Sequence, residues 1–209
     1  MAGMSFCEAF AVGVYRALID PLVRPLRKRI VRLCRKFRAR EILDIASATG
    51  AQCRLLARAG TTATGIDLSE AMIASAARRG GRNVRYLQGS AYDLPFDGDS
   101  FDASLLLLAL HEHTEKERAQ MLREAVRVVR PGGYLIIADY TVPVHPRFHI
   151  PWQTVRLIEW LAGAEHLAGF RDFVARGGLV GLLARHSLSP VLRMGSHFGA
   201  IGIVAIRMN

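Results

Sequence analysis

The sequence predicts an α/β fold in which a doubly wound, mostly parallel sheet has helices on both faces and is preceded by N-terminal helices. Two observations support this class. Over residues 41–140, short apolar segments alternate with amphipathic segments of helical length, the pattern of right-handed strand–helix–strand units. The chain of 209 residues is also long enough to bury one sizeable core, so we expect a single domain.

Five short apolar runs are predicted to form the core of the sheet. The fourth, ASLLLLAL, is the most hydrophobic and is expected at the centre, where both faces are covered. Ser69 is a natural N-cap for the second of the three intervening helices, and the segment RPGG is expected to end the third. The predicted strands span residues 42–45, 62–66, 84–88, 103–110 and 134–138, and the predicted helices span residues 51–59, 69–79 and 115–129.

A basic amphipathic helix is predicted before the sheet. Nine Lys and Arg residues lie between Arg24 and Arg40 without an acid, within a chain of net charge +10, and apolar residues recur among them at helical spacing. Asp20 followed by Pro21 is a suitable helix start. We interpret this helix as packed on the domain with its arginines in water. The alternative is a surface for anionic lipid, nucleic acid or an anionic substrate.

Beyond residue 140 the pattern changes. Two helices are predicted, over residues 153–167 and 170–183, and a pair of glycines interrupts the second. Residues 191–208 are predicted to form two final strands that join near Gly195. No internal repeat or second-domain linker is evident.

Composition and spacing exclude several classes of protein. The three cysteines, Cys7, Cys34 and Cys53, have no metal-ligand spacing, so no metal site is predicted. No apolar run approaches the roughly 20 residues that span a bilayer, and the first residues lack the basic region of a secretory signal. We therefore expect a cytoplasmic protein, with weak peripheral membrane association through the basic helix left open.

The segment ILDIASATG predicts a cofactor loop. A strand ends at an acid, Asp44, and a turn of small residues follows, which lets backbone N–H groups and a helix N-terminus approach a ligand. Asp67 ends the next strand, where a carboxylate can accept both hydroxyls of a ribose. The spacing is not GxGxxG, and an acid at Asp44 would repel a pyrophosphate but complement an amino group. These features favour S-adenosyl-L-methionine over NAD.

Four motifs carry a family resemblance: LDIASATG, TGIDLSEAMI, QGSAYDLPFDGDSFD and RVVRPGGYLIIAD. Together they resemble class I S-adenosylmethionine-dependent methyltransferases over residues 42–140, and PLVRPLRKRIVRL resembles the quinone-biosynthesis C-methyltransferases. The resemblance implies a Rossmann-like, seven-stranded sheet closed by a hairpin with an antiparallel terminal strand. It also implies a single domain with four parts. These are an N-terminal helical segment (residues 1–40), a cofactor-binding core (41–140), a substrate-covering region (141–190) and a terminal hairpin (191–209).

The resemblance implies roles for particular residues. Asp44 and the loop after it should contact the amino-acid part of the cofactor, Asp67 the ribose, and Leu68 and the Ser90 turn the adenine, while the region near His111 should face the methyl donor. The expected cofactor-binding residues are Asp44, Ala46, Ser47, Ala48, Thr49, Gly50, Asp67, Leu68, Ser90, Ala91 and Leu108.

Two positions depart from the family pattern. Ser90 stands where an aspartate is usual, and its hydroxyl can also accept a hydrogen bond from the adenine amino group. Ala48 stands where glycine is usual, and its methyl group disfavours a left-handed backbone. Because Gly50 and Asp67 remain, we predict that cofactor binding is retained.

Methyl transfer depends mainly on positioning, and a general base helps if the acceptor is a phenol or an activated carbon. The candidate bases are His111, Tyr140 and His145, with His149 as a further candidate, and His111 is the best placed. The aromatic residues of the 141–190 region favour a planar or lipophilic acceptor. We therefore predict C- or O-methylation of a small, quinol-like molecule by a monomer or homodimer.

Two other functions stay open at this point. A nucleic-acid methyltransferase is suggested only by the charge and would bind RNA or DNA with a steep salt dependence. A non-catalytic relative would have lost cofactor binding through Ala48 and Ser90.

Overall fold

The computed structural model describes residues 12–142 and 164–209 and contains a seven-stranded sheet of order β3-β2-β1-β4-β5-β7-β6. Strands β1 to β5 pair in parallel, and β7 is antiparallel to both β5 and β6. The predicted fold class, with its antiparallel terminal strand, is confirmed. The strands are β1 Glu41–Ile45, β2 Thr62–Asp67, β3 Val84–Gln88, β4 Phe101–Leu107, β5 Val129–Tyr140, β6 Leu192–Ser196 and β7 Ile201–Arg207.

Helices surround this sheet and are delimited by local signals. Ser69 caps one helix by accepting from the Met72 N–H, and Thr114 and Glu117 form a reciprocal capping box on another, which satisfies donors that the first turn leaves unpaired. The helices are α1 Arg24–Lys36, α2 Ala51–Arg58, α3 Glu70–Arg79, α4 Glu115–Arg127, α5 Ala164–Ala175 and α6 Gly178–Arg185. A π-helical turn, Tyr15–Ile19, and a short turn, Asp20–Leu22, precede α1.

Two predicted boundaries are wrong. Strand β4 ends at Leu107, because Leu108 adopts a left-handed φ of 55°. The third intervening helix ends at Arg127, and the RPGG segment lies within β5, where Val129 pairs with Phe101 ahead of a register shift. The last two strands join at the single turn His197–Gly199, close to Gly195 as predicted.

The N-terminal helix is interpreted as having its arginines in water, and one arginine differs from this interpretation. Most of its arginines are exposed, but Arg27 is buried and forms an ion pair with Asp20 at 2.8 Å. A buried guanidinium requires such a partner, so Asp20 connects the turn before α1 to the helix itself. Among residues 12–142 and 164–209, no helix combines the length and apolar character needed to span a bilayer.

The region after β5 is described from Ala164 onward, so most of the predicted helix 153–167 lies outside the described residues. The interruption predicted for the second helix is present. Gly177, with a φ of 87°, is the N-cap that separates α5 from α6.

Candidate active site

The carboxyl edge of the parallel strands gathers most of the predicted polar residues. Asp44 lies near the end of β1, Asp67 at the end of β2, His111 just after β4 and Asp139 near the end of β5. Since β1 and β4 are adjacent and central, these residues come from both sides of the point where the strand order reverses. Ligands of doubly wound sheets bind at this location.

The loop after β1 keeps a glycine-type backbone although two of its residues are alanines. Ala46, Ala48 and Gly50 have φ values of 56°, 46° and 70°. Each non-glycine residue in this region costs roughly 1–2 kcal/mol. The alanines therefore do not exclude the left-handed conformation; instead, the fold imposes it on them.

Asp67 is held by this loop. One carboxylate oxygen accepts the Ala48 N–H at 2.7 Å, and the other accepts the Ser69 N–H at 2.9 Å. Burial raises the pKa of Asp67, and these two backbone donors act against the shift. A carboxylate oxygen has two acceptor sites, so each can still accept one hydroxyl of a ribose.

A cavity of about 360 Å³ opens beside Asp67. Its size falls within the range of small-molecule sites. It brings together five of the predicted cofactor residues with six others. The predicted ones are Ala46, Asp67, Leu68, Ser90 and Ala91, and the others are Ile66, Ser69, Gly89, Tyr92, Glu112 and His113.

The Ser90 hydroxyl oxygen accepts the Tyr92 N–H at 3.1 Å. The hydroxyl keeps its proton for donation and a second lone pair for acceptance, so it can still bond to the edge of a ligand in the cavity. Leu108, in contrast, packs against the hydrophobic core and does not line the cavity.

Asp44 lies beneath the loop and is almost fully buried. Burial raises its pKa to about 7, while the thiol of Cys53, at 3.4 Å, and the charge of Arg27 lower it. A cationic amino group placed beside this carboxyl would favour its charged form. The residue is therefore suited to the amino-acid end of the predicted cofactor.

The rest of the loop has structural contacts. The Thr49 hydroxyl donates to Asp20 at 2.8 Å. Gly50 lies against the ring of Tyr86, whose hydroxyl donates to the Gly50 carbonyl, and a Cβ at position 50 would overlap that ring. Glycine is therefore needed here both for its φ and for space.

Two buried polar side chains near the loop have no hydrogen-bond partner among the described residues: the Ser47 hydroxyl and the Gln52 amide. Buried polar groups usually have partners, so such groups need an explanation. A bound amino-acid moiety would supply donors and acceptors, which fits the predicted cofactor. Gln52 gave no signal in the sequence, because it belongs to none of the spacing patterns.

His111 and Asp139 form a buried pair on the other side of the site, with exposed fractions of 2% and 0%. His111 Nδ1 lies 2.8 Å from Asp139 Oδ1, and Asp139 also accepts the N–H groups of Leu110, His111 and Tyr140. With Nδ1 donating, this arrangement selects the tautomer in which Nε2 accepts a proton.

Aromatic and charged groups surround the His111 ring. The rings of Tyr140 and Phe170 contact it edge-on, with centroids 4.7 and 6.4 Å away. Glu112 Oε1 lies 3.8 Å from His111 Nε2 and 3.3 Å from His166 Nε2. The ligand atoms of these three side chains lie within 4.8 Å of one another, an arrangement that could also hold a metal ion. His145 and His149 lie outside the described residues.

Tyr15, in the N-terminal turn, is within electrostatic reach of this site, although the sequence did not indicate it. Burial raises its pKa to about 12, and the charged groups close enough to act on it are Arg27, Asp20, Glu112 and Asp44. The hydrogen bond from Thr49 to Asp20 holds the N-terminal turns against the cofactor loop.

Arg118 fixes the turn that carries His111. Its guanidinium is fully buried, and it donates to the Leu110 and Gly169 carbonyls and to Asp172. It thereby connects α4 and α5 to the turn Leu110–Glu112. At Gly169 the approach is so close that a Cβ would lie 2.5 Å from the Glu112 carbonyl oxygen.

Comparison with known proteins agrees with this geometry. Residues 43–137 match the family model described as a methyltransferase domain. The demethylmenaquinone methyltransferase of Clavibacter sepedonicus is 37% identical over 107 residues, which make up 50% of this chain and 43% of that protein. The chain thus covers less than half the length of this curated relative.

Two solved structures share the fold. An O-methyltransferase family protein from Burkholderia thailandensis has a TM-score of 0.71 at 20% identity, covering 95% of this chain and 60% of that chain. An N-methyltransferase from Bradyrhizobium japonicum has a TM-score of 0.62 at 16% identity, covering 90% of this chain and 97% of that chain.

The chain therefore carries the core of a class I S-adenosylmethionine-dependent methyltransferase. The predicted family and the predicted cofactor, S-adenosyl-L-methionine, are confirmed. These matches favour neither the nucleic-acid-directed nor the non-catalytic alternative. A small-molecule methyl acceptor fits the relatives found.

Proposed function

We propose that this protein transfers the methyl group of S-adenosylmethionine to a carbon or oxygen atom of a quinol-like aromatic acceptor. The observation that carries the proposal is the buried His111–Asp139 pair, flanked by the rings of Tyr140 and Phe170 and beside the adenosine-sized cavity. The demethylmenaquinone methyltransferases similar to this chain support an acceptor of this chemistry.

Each end of the cofactor would have its own partners. Asp67 would accept the ribose hydroxyls, the Ser90 turn would bind the adenine edge, and Asp44 would hold the amino group. The bound cofactor supplies an electrophilic methyl group. Holding the acceptor in line with that group can supply roughly 7–11 kcal/mol of the barrier.

His111 would act as the general base. Its Nε2 accepts the proton of an acceptor hydroxyl, which raises the electron density on the oxygen and on the ring carbons ortho to it. Asp139 orients the ring through Nδ1 and stabilises the imidazolium that forms. Tyr140 would be a positioning residue whose ring packs beside the base, and His145 stays an untested candidate.

The test is methyl transfer to a reduced, demethylated naphthoquinol by wild type, His111→Gln and a matched His186→Gln variant. His186 lies by Glu115, which is also paired with Arg185 and Arg118. We expect kcat to fall about 10²- to 10⁴-fold in His111→Gln, with the affinity for S-adenosylmethionine unchanged and His186→Gln near wild type.

Two results would contradict this role. Unchanged turnover in His111→Gln would remove the general base. Loss of turnover on adding a chelator would show instead that the His111, Glu112 and His166 groups act by holding a metal ion.

We also propose weak peripheral contact with a membrane through the basic N-terminal helix, because a quinol-like acceptor with a lipophilic chain would reside in lipid. The cytoplasmic location and the monomeric or homodimeric state stay predictions.

A further inference from the structure

A second cavity, of about 310 Å³, lies on the N-terminal side of the domain and has a strongly basic lining. Three parts of the chain contribute to it: the N-terminal turns with α1, helix α2 and helix α3. Six arginines and one acid line it: Arg16, Arg24, Arg27, Arg54, Arg58, Arg79 and Asp20.

The acid in this lining does not neutralise the cavity. Asp20 is already bound by Arg27 at 2.8 Å and by the Thr49 hydroxyl at 2.8 Å. Arg54 donates to the Thr49 carbonyl at 2.7 Å, so two of the arginines are held in place by hydrogen bonds. Arginines that converge on one cavity repel each other, and a bound anion relieves that repulsion. The planar guanidinium fork matches phosphate oxygens in particular.

An exposed apolar row lies on the same N-terminal segment. Val14, Leu18 and Leu22 recur every fourth residue, which places them along one side of the turns, and they are 37%, 63% and 48% exposed. The Leu22 carbonyl lies 3.0 Å from His197 Nε2, and the next residue, Phe198, is 79% exposed. Apolar side chains beside a cluster of arginines are typical of a surface that lies in the membrane interface.

We propose that the arginine cavity binds the phosphate of an anionic phospholipid headgroup while Val14, Leu18 and Leu22 contact the acyl region. A nucleic acid or a soluble phosphate would use the arginines but would give the apolar row no partner. This inference rests on the lipophilic acceptor proposed above. It adds a specific site: Thr49 of the cofactor loop bonds to Asp20 in the cavity wall, so the docked lipid would lie next to the methyltransferase site.

Co-sedimentation with phosphatidylglycerol and phosphatidylcholine vesicles tests the site. One triple variant, Arg24→Ser with Arg58→Ser and Arg79→Ser, removes three exposed arginines of the cavity. The matched control, Arg35→Ser with Lys36→Ser and Arg78→Ser, removes three exposed basic residues that do not line it.

We expect binding to phosphatidylglycerol vesicles only, weakened about 100-fold by the cavity triple and by less than about 5-fold by the control. Leu18→Asn alone should also weaken binding to phosphatidylglycerol vesicles, although it removes no charge. Equal losses in the two triples would show general charge attraction and overturn the site.

Two further arms identify the ligand. Calorimetric titrations with inorganic phosphate and with an RNA hairpin are run on the wild type beside the vesicle assay. Binding of either ligand without binding to vesicles would overturn the lipid assignment. Methyl transfer to a short-chain, water-soluble quinol should be unchanged in the cavity triple. If the wild type does not bind vesicles but methylates this quinol, the lipid site is wrong and the proposed function stands. If the wild type does not methylate the quinol, the proposed function is wrong.

Discussion

At the scale of single residues, the site depends on carboxylates placed in different environments. Asp67 is half-buried and supported by backbone donors, whereas Asp44 is buried with one thiol as its hydrogen-bond partner. Burial favours the neutral form of Asp44, and a cationic ligand favours its charged form. Fold stability therefore favours the neutral form of Asp44, whereas cofactor binding favours its charged form.

This opposition predicts a pH dependence. Burial raises the pKa of Asp44 from 3.8, its ordinary value, to about 7 in the folded chain. The folded state therefore binds more protons between those values, and stability falls as pH rises through that window. In Asp44→Asn, thermal unfolding from pH 5 to 8 should depend less on pH, with a higher Tm at pH 8. The affinity for S-adenosylmethionine should fall about 10- to 100-fold, because a charge-assisted hydrogen bond is lost.

Exposed Asp93→Asn is the control and should change neither property. If Asp44→Asn kept full affinity, the assignment of Asp44 to the amino group would be wrong.

At the scale of elements, the loop between β1 and α2 stores backbone strain. Ala48 is left-handed and directs its N–H at Asp67. Ala48→Gly removes that strain of roughly 1–2 kcal/mol and adds the entropy cost of a glycine, roughly 0.5–1 kcal/mol. Chemical denaturation should therefore show a stability that is unchanged or up to about 1.5 kcal/mol higher.

Ala74→Gly, in the middle of α3, is the matched control. It should lower stability by roughly 0.8–1.0 kcal/mol, because its backbone is helical. If the two variants destabilised the protein equally, Ala48 would not be strained.

Most elements of the core could be predicted from the sequence, because apolar runs, Ser69 and the glycines are local signals. Strand β3 was predicted at its observed bounds, whereas β4 was extended into Leu108 because apolar character does not report the φ of a residue. The RPGG segment has the composition of a turn, yet it lies as a bulge within β5: the flanking Val129 and Tyr134 pair with β4, and its glycines exchange hydrogen bonds with Met208. Such pairing is a tertiary effect that local composition cannot show.

At the scale of the whole molecule, the site is assembled from distant parts of the chain. Asp44, Asp67, Ser90 and His111 could be placed because each lies at or just after the carboxyl end of a strand. Tyr15, Gln52 and Arg118 could not, because they act only through the packing of the N-terminal turn, α2 and α4 against the sheet edge. The strand order beyond β5 came from the family resemblance, since periodicity does not specify which strands pair.

The central claim, that this loop with its two left-handed alanines binds S-adenosylmethionine through Asp67, is tested most directly by calorimetric titration. Wild type, Asp67→Ala and a control variant, Asp97→Ala in the exposed loop before β4, would each be titrated with S-adenosylmethionine and with NAD. We expect one-to-one binding of S-adenosylmethionine and none of NAD, with affinity at least about 100-fold weaker in Asp67→Ala and unchanged in Asp97→Ala. Absence of binding by wild type, or full affinity in Asp67→Ala, would contradict the account.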